Sequence, residues 1–160
     1  MRKFQEGPIE GVIIKDLTKY DDHRGWLTEI FRKDEIEPDM MPAMAYVSLT
    51  HSGIARGPHE HRDQADLFAF TGPGTFKVYL WDNREDSPTY NNKHVFLAGE
   101  EKRTVYVPPG VVHAYKVVSD VEGVVINLPN RLFAGEGKKE PVDEIRWEEE
   151  EMKDSPFKLD

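Results

Sequence analysis

The chain has 160 residues, enough for one domain with a sizeable buried core, and it contains no cysteine, so a disulfide framework and a thiolate metal site are both excluded. Its formal net charge of −9 argues against nucleic-acid binding, which needs a basic surface to displace counterions from phosphates. No apolar run has the length of a signal-peptide core or a bilayer span, so a soluble, cytoplasmic protein with no membrane partner is expected. The charge is uneven: residues 136–160 hold ten acids against five bases and carry −5 of the total. One domain over residues 1–160, with an acidic C-terminal tail from about 136, is the organisation this predicts. An anionic small molecule remains an acceptable ligand if a few arginines converge on one cavity.

In chain order, residues 10–15 and 26–32 read as the two strands of a hairpin around the polar turn 20–25. Pro38 and Pro42 limit residues 33–40 to a single helical turn. Residues 43–50 form the next strand and lead into a histidine-rich stretch, followed by the short apolar run Leu67-Phe68-Ala69-Phe70. Residues 75–81 alternate strictly, with Phe76, Val78 and Leu80 on one face and Lys77, Tyr79 and Trp81 on the other. Further short strands are expected at 93–97, 103–107, 113–118 and 123–128, each bounded by Gly, Pro, Asn or Asp. Many short strands with almost no helical period imply an all-β sandwich or barrel. The acidic run 147–152 reads as a helical turn or a solvated arm.

The chemistry concentrates in two segments. In Arg56-Gly57-Pro58-His59-Glu60-His61, two histidines stand two residues apart, and Asp66 follows five residues after the second. An extended chain points alternate side chains the same way, so His59 and His61 face one cavity. The segment Pro108-Pro109-Gly110-Val111-Val112-His113 supplies a third histidine just after a Pro-Gly turn. Three imidazoles and a carboxylate can hold a metal or move protons.

These two segments resemble the paired motifs of the cupin superfamily, which implies a double-stranded β-helical jelly roll with short peripheral helical turns. The resemblance offers His59, His61, Asp66 and His113 as ligands for a divalent ion such as Zn, Mn, Fe or Ni. Two departures are Asp66 where most metal cupins have Glu, and the lack of an asparagine at the usual interval after His113. A longer resemblance runs through Asp22-His23-Arg24-Gly25-Trp26-Leu27-Thr28-Glu29, Arg56-Gly57-Pro58-His59, Asp82-Asn83-Arg84-Glu85-Asp86-Ser87-Pro88-Thr89-Tyr90 and Pro108-Pro109-Gly110-Val111-Val112-His113-Ala114-Tyr115. In that order these motifs are similar to the dTDP-4-dehydrorhamnose 3,5-epimerase family, with Glu144-Ile145-Arg146-Trp147 as a weaker match. The resemblance implies a homodimeric cupin that epimerises or isomerises a nucleotide-linked 4-keto-6-deoxy sugar for polysaccharide or deoxysugar biosynthesis, without a cofactor.

Carried over position by position, the resemblance makes His59 the base, and Arg24 and Arg56 the holders of diphosphate or sugar. Guanidinium forks suit those oxygens. Glu29 contacts the nucleotide base beside Trp26 as a stacking platform, and His113 and Tyr115 join the cavity. Asp154 becomes the carboxylate partner of His59. Two positions depart from the family: Asp66 stands where a lysine serves the keto oxygen, and Ile126 where a tyrosine serves as the acid. Asp66 must then bind a cation, accept a sugar hydroxyl or orient a histidine. The alternatives are a metal-dependent cupin enzyme using the three histidines and Asp66, and a sugar-nucleotide binding protein without catalysis.

Overall fold

The computed structural model describes residues 2–149 and 154–160. Its strands are β1 (Gln5–Glu6), β2 (Ile13–Asp16), β3 (Tyr20–Asp22), β4 (Gly25–Leu27), β5 (Tyr46–Thr50), β6 (Ala55–Glu60), β7 (Asp66–Phe70), β8 (Phe76–Asp82), β9 (Asn92–Ala98), β10 (Arg103–Val107), β11 (Val111–Val117), β12 (Gly123–Asn127) and β13 (Ile145–Arg146). Two sheets face each other, in the orders β1-β9-β8-β11-β6-β13 and β2-β10-β7-β12-β5. From β5 to β12 the chain passes back and forth between them, which is the double-stranded β-helical jelly roll that the motifs imply. Two short 3₁₀ turns, Pro38–Met40 and Glu136–Lys138, are the helical elements among the described residues.

The alternation in β8 explains how the layers form. Phe76, Val78 and Leu80 point between the sheets and join Phe68, Phe70, Val105, Tyr115 and Val125 in the main core. Tyr79 and Trp81 point outward yet are also buried, because Phe4, Trp147, Phe157 and Leu159 cover that face. On the opposite sheet, Leu67 and Ala69 turn outward beneath Ile30, Ile36, Tyr106 and Ile126. The histidine-bearing strands therefore sit in a sandwich whose two outer faces are largely roofed, which fixes their register and orientation.

Three expectations are corrected. The hairpin of 10–15 with 26–32 does not form. β2 pairs with β10, a partner far along the chain, while the hairpin is the short pair β3 and β4. Residues 28–37 contain no strand, and Ile30 and Ile36 instead cover the outer sheet face. Nor is the segment beyond 136 simply an acidic tail. β13 pairs with β6, and the Phe157 ring is buried against Trp147 at 5.0 Å and Trp81 at 5.7 Å between centroids. Burial of these aromatic rings outweighs the repulsion among the neighbouring acids. The part of the acidic run at 150–153 lies outside the described residues.

Candidate active site

His59 and His113 are directly opposed on the antiparallel strands β6 and β11, with ring centroids 4.4 Å apart. The strands come this close because residue 57 lacks a side chain. A Cβ on Gly57 would lie 2.6 Å from the His113 carbonyl oxygen, and its φ of +81° belongs to glycine. His61 follows on the same side, its ring 6.0 Å from that of His59 and 5.6 Å from that of His113. The three rings thus cluster as the spacing predicts. His113 is sealed in, His61 is nearly so, and His59 keeps the most solvent access.

Asp66, at the start of β7 on the other sheet, reaches into this cluster and is 1% exposed. Its Oδ2 lies 3.0 Å from His61 Nε2 and 3.3 Å from His113 Nε2. Its Oδ1 accepts hydrogen bonds of 3.0 Å from both Gln64 Nε2 and Asn127 Nδ2. Burial alone would raise the carboxyl, but the histidine contacts outweigh it and hold Asp66 well below the usual carboxylate range. Burial likewise works against a charged His61, yet Asp66 pushes its pKa up to about 9. Burial and the neighbouring His59 push His113 down to about 4. The set therefore reads as a buried His61 cation and Asp66 anion beside a neutral His113.

The tautomers follow from the carbonyls. His61 Nδ1 faces the Asp143 carbonyl oxygen, and His113 Nδ1 lies 3.0 Å from that of Val111. A carbonyl only accepts, so each Nδ1 carries the proton. Neutral His113 then presents a bare Nε2 that finds no hydrogen-bond partner, despite its closeness to Asp66. Asn127 Oδ1 is likewise buried and unpartnered. Two orphaned polar atoms beside one carboxylate are free to accept a hydrogen bond from a water or a ligand group.

Asp143 also sets the turn after His61. Its carboxylate accepts the backbone N–H groups of Arg62, Asp63 and Gln64 at 2.8–2.9 Å. The carboxylate beside His59 is Glu148, with Oε1 3.9 Å from His59 Nδ1. Burial would raise Glu148, but His59 outweighs that and lowers it. Glu148 is delivered by an anchor: Trp147 N donates to the Pro58 carbonyl at 2.8 Å, and its indole Nε1 donates to buried Glu60 at 3.1 Å. Asp154, the carboxylate expected beside His59, is exposed near the C-terminus instead. The Trp147 anchor explains why the earlier acid reaches the imidazole.

The remaining expected residues are dispersed. Arg56 spans the edge between the sheets, donating to Thr50 Oγ1 and the Leu49 carbonyl, each at 2.9 Å. Arg24 pairs with Asp22, Trp26 lies under Lys102 Nζ at 4.1 Å, and Glu29 is 3.5 Å from Arg32. None of these three touches the histidine cluster among the described residues. Tyr115 is buried against Phe68, Phe70 and Phe76, with its hydroxyl 3.5 Å from Ser48 Oγ. Ile126 faces the outer cluster, away from the cavity.

The sequence did not single out Tyr46, Gln64, Asn127 or Glu148. Tyr46 OH accepts a 2.9 Å hydrogen bond from Asn127 Nδ2, and burial of the hydroxyl pushes its pKa up to about 12. Alternation in β5 was the available signal for Tyr46, since Tyr46, Ser48 and Thr50 share one face. A cavity of about 600 Å³ opens here, lined by Tyr46, His61, Gln64, Arg131, Phe133 and Arg146. His59 adjoins it across His61.

A sequence model described as dTDP-4-dehydrorhamnose 3,5-epimerase matches residues 6–153. The chain is 37% identical to the probable low-salt glycan biosynthesis epimerase Agl13 of Haloferax volcanii, over 78% of this chain and 81% of that protein. It is 31% identical to the spore coat polysaccharide biosynthesis protein SpsL of Bacillus subtilis, over 89% and 92% respectively. Among solved structures, a dTDP sugar isomerase from Desulfovibrio desulfuricans superposes with a TM-score of 0.76 at 22% identity, covering 94% of this chain and 91% of that one. An epimerase from Legionella pneumophila, solved with dTDP-4-keto-L-rhamnose, gives 0.71 at 21% identity, over 88% and 74%. At these identities the two structures speak for the fold.

Proposed function

Because the chain belongs to the dTDP-4-dehydrorhamnose 3,5-epimerase family, we propose that it inverts a carbon next to the ketone of a nucleotide-linked 4-keto-6-deoxy sugar in polysaccharide or deoxysugar biosynthesis. The enzyme is an isomerase, a sugar-nucleotide epimerase. The observation that carries the substrate reading is His59, the most accessible of the three histidines and paired with Glu148, standing beside a cavity whose wall includes His61, the partner of buried Asp66. His59 takes the proton next to the ketone through Nε2, and Glu148 stabilises the imidazolium that forms. Asp66 cannot stabilise an enolate directly, since that would set negative charge against negative charge. Its role is to hold His61 as a cation and to orient His113, so that positive charge stands on the cavity wall. Arg131 and Arg146 line the same cavity and suit a diphosphate, with Arg56 at its edge.

This reading needs no cofactor and includes a homodimer. Trp26 and Leu27 stand exposed on the β3–β4 arm, with Arg24 between the two strands and Glu29 just beyond. An arm of this kind reaching a second copy would carry a stacking ring and charged groups to that copy's cavity. The edge strand β5 also leaves Val47 and Leu49 exposed, a surface that a second copy would cover. A cytoplasmic location goes with a nucleotide-linked substrate. Among the described residues, no helix is long and apolar enough to cross a membrane.

A second reading is favoured by the bare Nε2 of His113. The possible ligand atoms of His59, His61 and His113 lie within 4.8 Å of one another, and both buried rings have Nδ1 turned to a carbonyl. With Asp66 this donor set fits a divalent ion, which would polarise the ketone as a Lewis acid. Elemental analysis of the purified protein separates the two readings: a stoichiometric ion whose removal abolishes activity favours the second.

The test of the main reading is solvent exchange. In D₂O, the wild type with a dTDP-linked 4-keto-6-deoxyhexose should incorporate deuterium next to the ketone, and His59→Ala should lower that rate by roughly 10²–10⁴. Exchange no faster with wild type than without protein sinks it.

A further inference from the structure

Inversion of a carbon needs two proton-transferring groups on opposite faces of the enolate, and the family's acid position, Ile126, faces away from the cavity. We propose that Tyr46 is the proton donor, so that base and acid come from opposite sheets of the sandwich. The inference rests on the epimerase reading and supplies its missing residue.

Four observations carry it. First, His59 belongs to β6 in one sheet and Tyr46 to β5 in the other, and the two strands meet on the same side of the sandwich, where Arg56 of β6 donates to the Leu49 carbonyl of β5. Second, Tyr46 and Asn127 are directly paired across β5 and β12, on the inward face shared with Ser48 and Thr50. Val47 and Leu49 take the outward face. Third, the orientation of the Asn127 amide is dictated by Asp66: the anion at 3.0 Å requires the Nδ2 end to face it. The same Nδ2 donates to Tyr46 OH, so the hydroxyl accepts there and its own proton is left for a ligand. Fourth, Tyr46 lines the cavity of about 600 Å³ together with His61 and Gln64, and the residue is 47% exposed. With its pKa raised to about 12, the phenol is protonated at neutral pH, as an acid must be.

The step balances without another reagent. The C–H bond next to the ketone breaks, its proton goes to His59 Nε2 and its electron pair into the enolate. That pair then forms the new C–H bond on the opposite face with the Tyr46 proton, leaving a phenolate. Tyrosinate and imidazolium return to neutral through solvent, which reaches both side chains.

The experiment compares wild type and Tyr46→Phe in D₂O with a dTDP-linked 4-keto-6-deoxyhexose. The variant should form epimer roughly 10²–10⁴-fold more slowly. It should still place deuterium into recovered, uninverted substrate, because His59 returns a solvent proton to the face it serves. Epimer formation within a few-fold of wild type overturns the proposal. So does loss of exchange together with inversion, which would make Tyr46 a binding group. As a second measurement, 3-fluorotyrosine in place of Tyr46 lowers the phenol pKa and should move the high-pH loss of activity to lower pH. An unmoved limb also overturns the assignment. A wild type that neither exchanges nor inverts defeats the epimerase reading itself, an outcome distinct from a defective variant beside an active wild type.

Discussion

Asp66 and Asp82 sit at the start of β7 and the end of β8, and both are sealed from water at 1% and 0% exposure. Their surroundings differ in kind. Asp82 is held by Arg84 Nε at 2.8 Å, Arg84 Nη2 at 2.9 Å and the hydroxyls of Ser87 and Thr89 at 2.6 Å, all within the following loop. Every donor there is a neighbour in sequence, and the loop 83–89 is the result. Asp66 draws its partners from β12, from the histidine segment and from β11, and two of those partners are left with an unpartnered atom. A buried carboxylate whose whole circle is satisfied fastens a loop. One whose partners keep unpaired atoms stands, in the proposed reading, beside the substrate.

Substitutions by the isosteric amide should break this comparison in opposite ways. Asp66→Asn leaves the His61 cation buried without its anion, at a cost of about 3 kcal/mol by thermal or urea unfolding. The surviving folded enzyme should lose about 10²-fold in epimer formation, since both histidines lose their alignment. Asp82→Asn should cost about 2 kcal/mol, while the activity per folded molecule stays at the wild-type level. Equal activity losses in the two variants would show that the loop and the site are one unit.

The smallest effect sharpens the contrast by pH. Burial works against the Asp82 carboxylate, but Arg84, Ser87 and Thr89 together lower its pKa from 3.8 to about 2. Its folded value lies below its unfolded one, so its stabilisation is complete above pH 3.8 and is lost as pH falls through about 2. Wild-type stability should therefore decline across that window more steeply than that of Asp82→Asn. Parallel acid-unfolding curves would contradict the assignment.

The sequence was most informative where the local period and the tertiary role coincide. The strict alternation of 76–81 appears in the fold as two buried faces, and His59, His61 and His113 meet because extended strands and a Pro-Gly turn leave little choice. It was misleading at 26–32, where an apolar period comes from a segment that roofs a sheet rather than one that joins it. The partner of β2 lies in β10, and no local pattern announces so distant a pairing. The acid beside His59 was also hidden. Several glutamates compete within a few residues, and the choice falls to Glu148 because Trp147 next to it has a buried indole partner in Glu60. Tyr46 was readable as a strand residue, but its significance depends on Asn127 standing opposite.

The Trp147 anchor also imposes an order of events on the maturing chain. Its two acceptors, the Pro58 carbonyl and Glu60, are presented only once β6 is extended against β11, and Asn83 helps hold Glu60 with a 2.8 Å hydrogen bond. Phe157 packs edge-on against the indole. The sandwich is thus the template, and the segment bearing Glu148 is a late arrival on its surface. During refolding, recovery of full turnover should coincide with the burial of Trp147 and trail the assembly of the β8–β11 core.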